Sequence, residues 1–246
     1  MVGLQSPLSF VTLNCDGIPA DPESIKLENL VRIISSHHII FLQETRTSQY
    51  DRLLQHLPRH FPLGHTRIPP RREGHKGFGV AIIATTIFQD YLSLLYVSDQ
   101  LQTVWVRAHA ELFGLDRDVY LCASYVNPES QNTSPEHIDN LYFTLGEEIF
   151  QAYTQTPHIL IGGDFNAHIA NRKELSDVHY EFLSRHPHLT HNRQSQCSQV
   201  NRAGIRLLDL AATYKLLITT GHVNGDLGQR TYKGYDNKCN SRPDHF

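Results

Sequence analysis

The hydrophobic residues of the chain fall into short runs typical of buried strands and longer stretches with helical spacing. Apolar, β-branched runs bounded by turn residues predict strands, at residues 8–13, 38–44, 79–84, 91–97, 103–112, 119–125, 158–161 and 215–220. Apolar residues repeated every three or four positions predict helices, at residues 21–34, 49–57, 134–150 and 204–213. Residues 170–200 are polar, and we expect a loop with one short helix there. The mixture indicates an α/β protein.

The order of these elements predicts which strands run parallel. A helix separates the first two strands, and such a strand-helix-strand unit pairs its strands in parallel. Asn14 and Glu44, which end the two strands, should therefore emerge at the same edge of a sheet. The strand runs between residues 79 and 125 follow one another through short turns, which predicts a largely antiparallel region.

Polar residues with complementary chemistry recur at the ends of the predicted strands. They are Asn14, Glu44, Tyr125, Asp164 and Asn166. The last two follow Gly162 and Gly163, which allow the backbone to turn sharply. Taken alone, Asp164 and Asn166 are equally consistent with an Asx-stabilised turn. Their recurrence on corresponding strand ends favours a common site.

The residue types at these strand ends suit hydrolysis of a phosphate ester. Glu44 is a hard oxygen donor for Mg²⁺ or Mn²⁺, and an ion with so few protein ligands keeps several waters and completes its shell with a phosphate oxygen. Asp164 can deprotonate or align the attacking water. Asn166 is a neutral donor that can position an anion or a water.

Composition and charge limit the possible classes. The chain has 246 residues, enough for one sizeable domain, and no linker, repeat or low-complexity segment divides it. The formal net charge is -3, so no global basic field indicates nucleic-acid binding. A polyanion would have to meet local basic groups at residues 67–76, at Arg202 and Arg206, or at Arg230 and Lys233. A solvated loop is the simpler interpretation of each.

Cysteine use and hydropathy indicate a soluble protein of a reducing compartment. The four cysteines are widely spaced and form no CxxC pair, which argues against a structural zinc site or a disulfide framework. No apolar run approaches the ~20 residues of a membrane span, and the N-terminus lacks the pattern of a leader. We expect a nuclear or cytoplasmic protein that is neither secreted nor bound to a membrane.

Several short motifs occur in an order typical of a known superfamily. They are Leu13-Asn14, Gln43-Glu44-Thr45, Ser124-Tyr125, residues 162–167, Thr231-Tyr232 and residues 241–244. Together they resemble the endonuclease/exonuclease/phosphatase superfamily, whose members include DNase I and the exonuclease III type abasic-site enzymes. Residues 163–168, and Asn201 to Gly204 followed by residues 207–210, resemble the endonuclease domains of non-LTR (LINE-type) retrotransposons. The resemblance covers residues 8–246.

The resemblance implies a fold, an activity and partners. The fold would be a DNase I-like, four-layer α-β-β-α sandwich with two mixed sheets, formed by residues 1–246 as one domain. In such elements the domain nicks chromosomal DNA and leaves a 3′ hydroxyl that primes reverse transcription. The implied partners are DNA and the reverse transcriptase domain of the parent element, and the implied cofactor is Mg²⁺ or Mn²⁺. We expect a monomer.

The resemblance also implies a role for each site residue. Glu44 would bind the divalent ion with Asn14 nearby, Tyr125 would contact the scissile phosphate, and Asp164 with Asn166 would handle the water nucleophile. The remaining roles are DNA contact for Thr231, Arg46 and Ser241, and orientation of the catalytic histidine for Asp244.

The chain departs from the family pattern at its end. In the family a further strand carries a Ser-Asp-His triplet whose histidine stabilises the pentacovalent phosphate, but here the sequence stops at Phe246. Asp244 matches the inner aspartate of the family, because Thr231 and Ser241 then fall into place. This interpretation predicts a C-terminally truncated domain that lacks its last strand and catalytic histidine and hydrolyses DNA poorly. The alternative takes Asp244 and His245 as the terminal pair.

Two hypotheses from other classes stay open. A non-catalytic DNA-binding remnant is favoured by the missing triplet. A phosphoesterase of the same superfamily that acts on lipid headgroups or nucleotides is disfavoured by the retroelement-like motifs and by the lack of a membrane-binding segment.

Overall fold

The computed structural model describes residues 7–47, 50–66, 79–128, 134–172 and 176–222, and the backbone of three short strands beyond them. The strands are β1 (Phe10–Asn14), β2 (Ile39–Gln43), β3 (His60–His65), β4 (Ala81–Thr85), β5 (Leu92–Ser98), β6 (Thr103–Ala108), β7 (Val119–Tyr125), β8 (Ile159–Asp164), β9 (Tyr232–Lys233), β10 (Asn240–Ser241) and β11 (Asp244–His245). The helices are α1 (Ile25–Ser35), α2 (Asp51–Gln55), α3 (Pro135–Gln155), α4 (Asp177–Arg185) and α5 (Arg202–Tyr214). The α/β class predicted from the sequence is confirmed.

The chain forms two compact units. One comprises Met1–Tyr125 and Ala152–Gly163, and the other comprises Val126–Gln151 and Asp164–Phe246. None of the helices within the described ranges has the length and apolar character needed to cross a lipid bilayer.

The first unit contains a mixed sheet in the order β1-β2-β4-β3. β1 and β2 are parallel, with Asn14 opposite Gln43, whereas β4 pairs antiparallel with both β2 and β3. The parallel pairing predicted for the first two strands is therefore confirmed, and Asn14 and Glu44 do emerge at one edge. Helix α1 begins later than residue 21, because Asp21 accepts a hydrogen bond from the Glu23 amide in a preceding turn.

The first unit also contains four strands in the order β8-β7-β6-β5. β5, β6 and β7 pair antiparallel, as predicted. The Tyr120 amide donates to the His158 carbonyl and the Val126 amide donates to the Asp164 carbonyl, so β8 runs in the direction of β7 and this sheet is also mixed. β4, which we expected in this antiparallel region, belongs to the other sheet.

The core of the first unit has two layers, one between the two sheets and one on the outer face of the first sheet. β2 contacts β7, and β3 contacts β5 and β6, so the sheets face each other. Trp105 of β6 is only 1% exposed and lies in the core. On the outer face of the first sheet, Leu27, Leu30 and Ile34 of α1 pack against Ile40 and Leu42 of β2. Each such burial contributes about 1.5–3 kcal/mol.

Strand β3 was missed because its sequence contains two strand breakers. Pro62 cannot donate to a ladder and is tolerated at an edge, and the register shifts between Pro62 and Gly64. A Cβ atom on Gly64 would lie 2.6 Å from Cδ1 at the end of the exposed Leu94 side chain, so β3 packs closely on β5 there. Conversely, the strand predicted at residues 103–112 ends at Ala108, and a short 3-10 turn follows.

The second unit contains most of α3, all of α4 and α5, and the short strands β9, β10 and β11, of which β9 and β10 pair antiparallel. Ser134 caps α3, with its Oγ 3.2 Å from the His137 amide, and Pro135 occupies the first helical position. The short helix expected between residues 170 and 200 is α4. α5 begins after Asn201, whose side chain accepts from the Gly204 amide.

The strand predicted at residues 215–220 is absent from the described part of the chain. The buried guanidinium of Arg193 donates to the carbonyl oxygens of Ile218 and Thr220, at 3.3 and 2.6 Å. A third bond runs from Arg193 Nε to the carbonyl of Arg172, at 3.1 Å. The apolar run is thus held by a side chain rather than by a neighbouring strand.

Candidate active site

Glu44 lies directly after β2 and receives hydrogen bonds on both carboxylate oxygens. Asn14 Nδ2 donates to Oε1 at 3.0 Å and the Tyr125 hydroxyl donates to the same oxygen at 3.1 Å. Arg46 Nη2 lies 2.8 Å from Oε2. The Glu44 side chain is 16% exposed, so it is mostly buried but still reaches solvent. Three of the predicted site residues and one predicted DNA contact therefore meet at one carboxylate.

Local backbone bonds fix the turn that presents Glu44. The Asp16 amide donates to Asn14 Oδ1 at 3.0 Å, and the Gly17 amide donates to the Glu44 carbonyl at 2.7 Å. Asn14 therefore directs its NH₂ group at Glu44 and its oxygen at the adjoining turn. Gly17 has φ +87°, and a Cβ atom there would lie 3.3 Å from Arg46 Cδ.

Arg46 is shared between two carboxylates. Its Nη2 atom lies 2.8 Å from Glu44 Oε2 and 2.5 Å from Asp16 Oδ1. Partial burial would lower the pKa of Arg46, but hydrogen bonds and attraction from Glu44 and Asp16 outweigh it and raise that pKa. Because one nitrogen serves both partners, neither pairing is the two-bond fork that makes arginine–carboxylate pairs strong.

Left-handed backbone conformations recur in the turns around Glu44 and in the loop that carries Asn166. Glu44, Arg46 and Asp16 have φ values of 47°, 51° and 46°, and Asn166 has 47°. Such conformations are uncommon outside glycine and need surrounding contacts to persist. No sequence pattern indicated them, which is why Asp16 was missed as a neighbour of Glu44.

Asp164 and Asn166 lie in the second unit, where β8 ends. The Asn166 amide donates to Asp164 Oδ1 at 3.0 Å, and Asn166 Nδ2 donates to the Val126 carbonyl at 2.7 Å. Asp164 is only 4% exposed. The Asx turn considered for this segment is therefore present, and it orders two side chains whose catalytic roles stay a prediction.

The glycines before Asp164 do not turn the chain, contrary to expectation. β8 continues through Gly162 and Gly163 to Asp164. A Cβ atom on Gly163 would lie 2.0 Å from the Ser124 carbonyl oxygen, so glycine is needed where β8 meets β7.

The remaining predicted site residues receive no test from the geometry. Thr231 lies outside the described residues, as do Arg230 and residues 67–76. Ser241, Asp244 and the basic candidate Lys233 are described only through their backbone, in β10, β11 and β9.

Arg202 and Arg206, the remaining basic candidates, form ion pairs in the second unit. Arg202 Nη2 and Arg206 Nε lie 2.6 and 2.8 Å from the Asp139 carboxylate. Hydrogen bonds from Arg202 and then Arg206 hold the pKa of Asp139 well below its usual range. Their charge thus links α5 to α3.

The donor set around Glu44 fits a hydrated divalent ion. Within the described ranges, no three His, Cys, Asp or Glu side chains are grouped to hold a metal by themselves. Mg²⁺ is commonly bound through one or two carboxylates, several waters and substrate phosphate. Glu44 fits as the direct donor, and Asn14 fits as the group that orients it.

The chain is similar to several solved structures. No curated protein matches the sequence. Among solved structures, the endonuclease domain of TRAS1, a telomere-specific non-LTR retrotransposon, aligns with TM-score 0.53 and 14% identity over 98% of this chain and 83% of that one. TDP2 from C. elegans aligns with TM-score 0.43 and 14% identity over 65% of this chain and 48% of that chain. The human Nocturnin catalytic domain gives 0.44 and 14%, covering 66% of each chain.

The alignment with the TRAS1 domain confirms the DNase I-like fold, with two mixed sheets of four strands and helices. A family model described as "Endonuclease/Exonuclease/phosphatase family" matches residues 11–196. That range contains Asn14, Glu44, Tyr125, Asp164 and Asn166. The motifs, the fold and this match agree, and the chain belongs to the endonuclease/exonuclease/phosphatase family.

Proposed function

We propose that this chain is a divalent-metal-dependent phosphodiesterase that nicks DNA, as the endonuclease domain of a non-LTR retrotransposon. The observation that carries the proposal is the Glu44 carboxylate, held by Asn14 and Tyr125 with 16% of its side chain exposed. The family is one of nucleases and phosphatases, and the retroelement-like motifs favour DNA as the substrate. The partner would be a reverse transcriptase domain, and the location nuclear or cytoplasmic.

In this mechanism Glu44 would hold Mg²⁺ or Mn²⁺, which supplies positive charge against the phosphate when bound. Tyr125 and Asn14 keep the carboxylate oriented through Oε1. The Tyr125 hydroxyl and the Arg46 guanidinium would also contact phosphate oxygens. Arginine suits that contact because its donors match phosphate geometry.

Asp164 would align the attacking water and accept its proton. Its Oδ1 already accepts the Asn166 amide, which orients the carboxylate. Asn166, held by the Val126 carbonyl, would donate from its amide group to the water or the phosphate. That Glu44 and Asp164 serve one reaction stays a prediction.

A supercoiled-plasmid assay with Mg²⁺ tests the proposal. We expect conversion to the nicked circle that stops with a chelator and falls at least ~100-fold in Glu44→Ala and Asp164→Ala. Glu181→Ala removes an exposed carboxylate on α4 and should nick like the wild type. Metal-independent DNA binding without nicking would instead support the non-catalytic remnant. Hydrolysis of a phosphoinositide but not of plasmid would support the lipid phosphoesterase.

A further inference from the structure

The side chain of Asn201 joins the loop after β8 to the first turn of α5. Asn201 Oδ1 accepts hydrogen bonds from the Gly204 amide at 2.8 Å and the His168 amide at 2.9 Å. Asn201 Nδ2 donates to the Asn166 carbonyl oxygen at 2.8 Å. One bond caps the helix, and the other two hold the loop.

The Asn166 carbonyl is the group that this arrangement restrains. Asn166 has φ 47°, a conformation that needs support from its surroundings. Its amide is held by Asp164 and its side chain by the Val126 carbonyl. The bond from Asn201 Nδ2 holds the carbonyl, so the two peptide groups on either side of the Asn166 Cα are both restrained.

Close approach of α5 makes this bond possible. A Cβ atom on Gly204 would lie 2.0 Å from the His168 carbonyl oxygen. The Asn201 amide also donates to that carbonyl, at 3.2 Å. The spacing of Asn201 and Gly204 is that of a cap residue and the third helical residue. Asparagine at 201 and glycine at 204 are therefore needed together.

We propose that Asn201 is a positioning residue for the Asp164 and Asn166 pair. It acts by holding the backbone carbonyl of Asn166. This keeps the backbone amide of Asn166 directed at Asp164 and so maintains the orientation of both side chains. This inference rests on the proposed function, in which those two side chains handle water. A helix cap alone would need only the bond to Gly204.

Substitution by aspartate separates capping from positioning. Asn201→Asp keeps an oxygen for the Gly204 and His168 amides, and aspartate caps helices about as well as asparagine. It replaces the Nδ2 donor with an oxygen that repels the Asn166 carbonyl. Asn201→Ser keeps only a cap oxygen and gives a second variant if aspartate prevents folding. Ser134→Ala removes the comparable cap of α3 and is the matched control.

We expect kcat for plasmid nicking to fall roughly 10- to 100-fold in Asn201→Asp, with KM near wild type and Tm lowered by about as much as in Ser134→Ala. Ser134→Ala should lower Tm and leave kcat unchanged. Hydrogen exchange of the Asn166 amide, followed by NMR, should be faster in Asn201→Asp and unchanged in Ser134→Ala. Wild-type kcat in Asn201→Asp, or an equal loss of kcat in Ser134→Ala, would overturn the inference.

The exchange measurement separates failure of this inference from failure of the proposed function. If the wild-type chain does not nick DNA, the proposed function fails. Faster exchange of the Asn166 amide in Asn201→Asp then still supports the restraint by Asn201. Unchanged exchange in both Asn201→Asp and Asn201→Ser overturns it.

Discussion

The loop that carries Glu44 and the loop that carries Asp164 are held by different kinds of interaction. Glu44 is surrounded by side chains, since Asn14, Tyr125 and Arg46 all donate to its carboxylate. In the loop after Asp164 each bond joins a side chain to a backbone group. Asp164 accepts from the backbone amide of Asn166, the Asn166 side chain donates to the Val126 carbonyl, and Asn201 donates to the Asn166 carbonyl. The Glu44 loop is held by hydrogen bonds to a charged carboxylate, whereas the Asp164 loop is held by hydrogen bonds that require one particular backbone conformation.

This difference predicts how each region responds to substitution. Changes around Glu44 should alter the affinity for cations, because hydrogen bonds to a carboxylate and ion pairs are charge-assisted. Changes around Asp164 should alter stability and turnover, because a close-packed backbone tolerates little displacement.

The largest effect is expected when both carboxylates are removed. Glu44→Ala and Asp164→Ala should each reduce nicking by roughly 10²–10³-fold. If the two act in one reaction, the double variant should lose little more than the worse single variant, because residues that act as a unit are not additive. Initial rates of plasmid nicking measure this. If the fold losses of the two single variants multiply in the double variant, Glu44 and Asp164 contribute independently and do not act as one unit.

The next largest effect is expected on stability, when a tightly packed and a loosely packed helical glycine are each replaced by alanine. Gly204→Ala places a Cβ atom 2.0 Å from the His168 carbonyl and should lower the free energy of unfolding by about 1–3 kcal/mol. Gly146→Ala in α3 meets nothing closer than 3.5 Å, and alanine should stabilise that helix by about 0.5–1 kcal/mol. Urea denaturation measures both. Shifts of the same sign would contradict the close approach of α5.

A smaller effect is expected on Mn²⁺ affinity, which should change in opposite directions in Arg46→Ala and Asp16→Asn. Arg46 competes for Glu44 with a cation, so Arg46→Ala should tighten Mn²⁺ binding about 3- to 10-fold, allowing for solvent screening. Asp16→Asn leaves Arg46 to pair with Glu44 alone and should weaken Mn²⁺ binding by a similar factor. Titration calorimetry with Mn²⁺ measures both.

Arg185→Ala on α4 is the control for a lost positive charge and should leave Mn²⁺ affinity unchanged. If Arg46→Ala and Asp16→Asn shift the affinity in the same direction, Arg46 does not compete with the ion. The Glu44 region would then resemble the Asp164 region in depending on backbone conformation.

The sequence predicted the Glu44 cluster better than the details of either loop. Parallel pairing of β1 and β2 follows from the order of elements, and it alone brings Asn14 beside Glu44. Asp16 and Asn201 were missed as partners because their contacts depend on left-handed backbone conformations and on the close approach of α5. Neither feature has a periodicity that hydrophobic patterning can detect.

The errors in the fold have the same origin. Residues 215–220 have the composition of a strand, but the side chain of Arg193 binds their carbonyl groups. β3 contains Pro62 and Gly64 and forms nonetheless, because it pairs only at a sheet edge and packs closely on Leu94. In both cases a tertiary contact overrides local propensity.

At neutral pH the smallest effect is expected at Cys15, in the turn between Asn14 and Asp16, because its contribution to stability changes only in alkali. Burial raises the pKa of the Cys15 thiol to about 12, from an ordinary value of 9.0. Because the folded-state pKa is the higher one, this stability is fully present below about pH 9 and is lost as the pH rises toward 12. Above pH 9 the wild type should therefore lose about 1 kcal/mol more stability per pH unit than Cys15→Ala, which has no thiol to ionise. Denaturation curves of both proteins between pH 8 and 11 measure the difference. Parallel curves would mean that the thiol ionises equally in both states, and that the turn beside Glu44 is open to water.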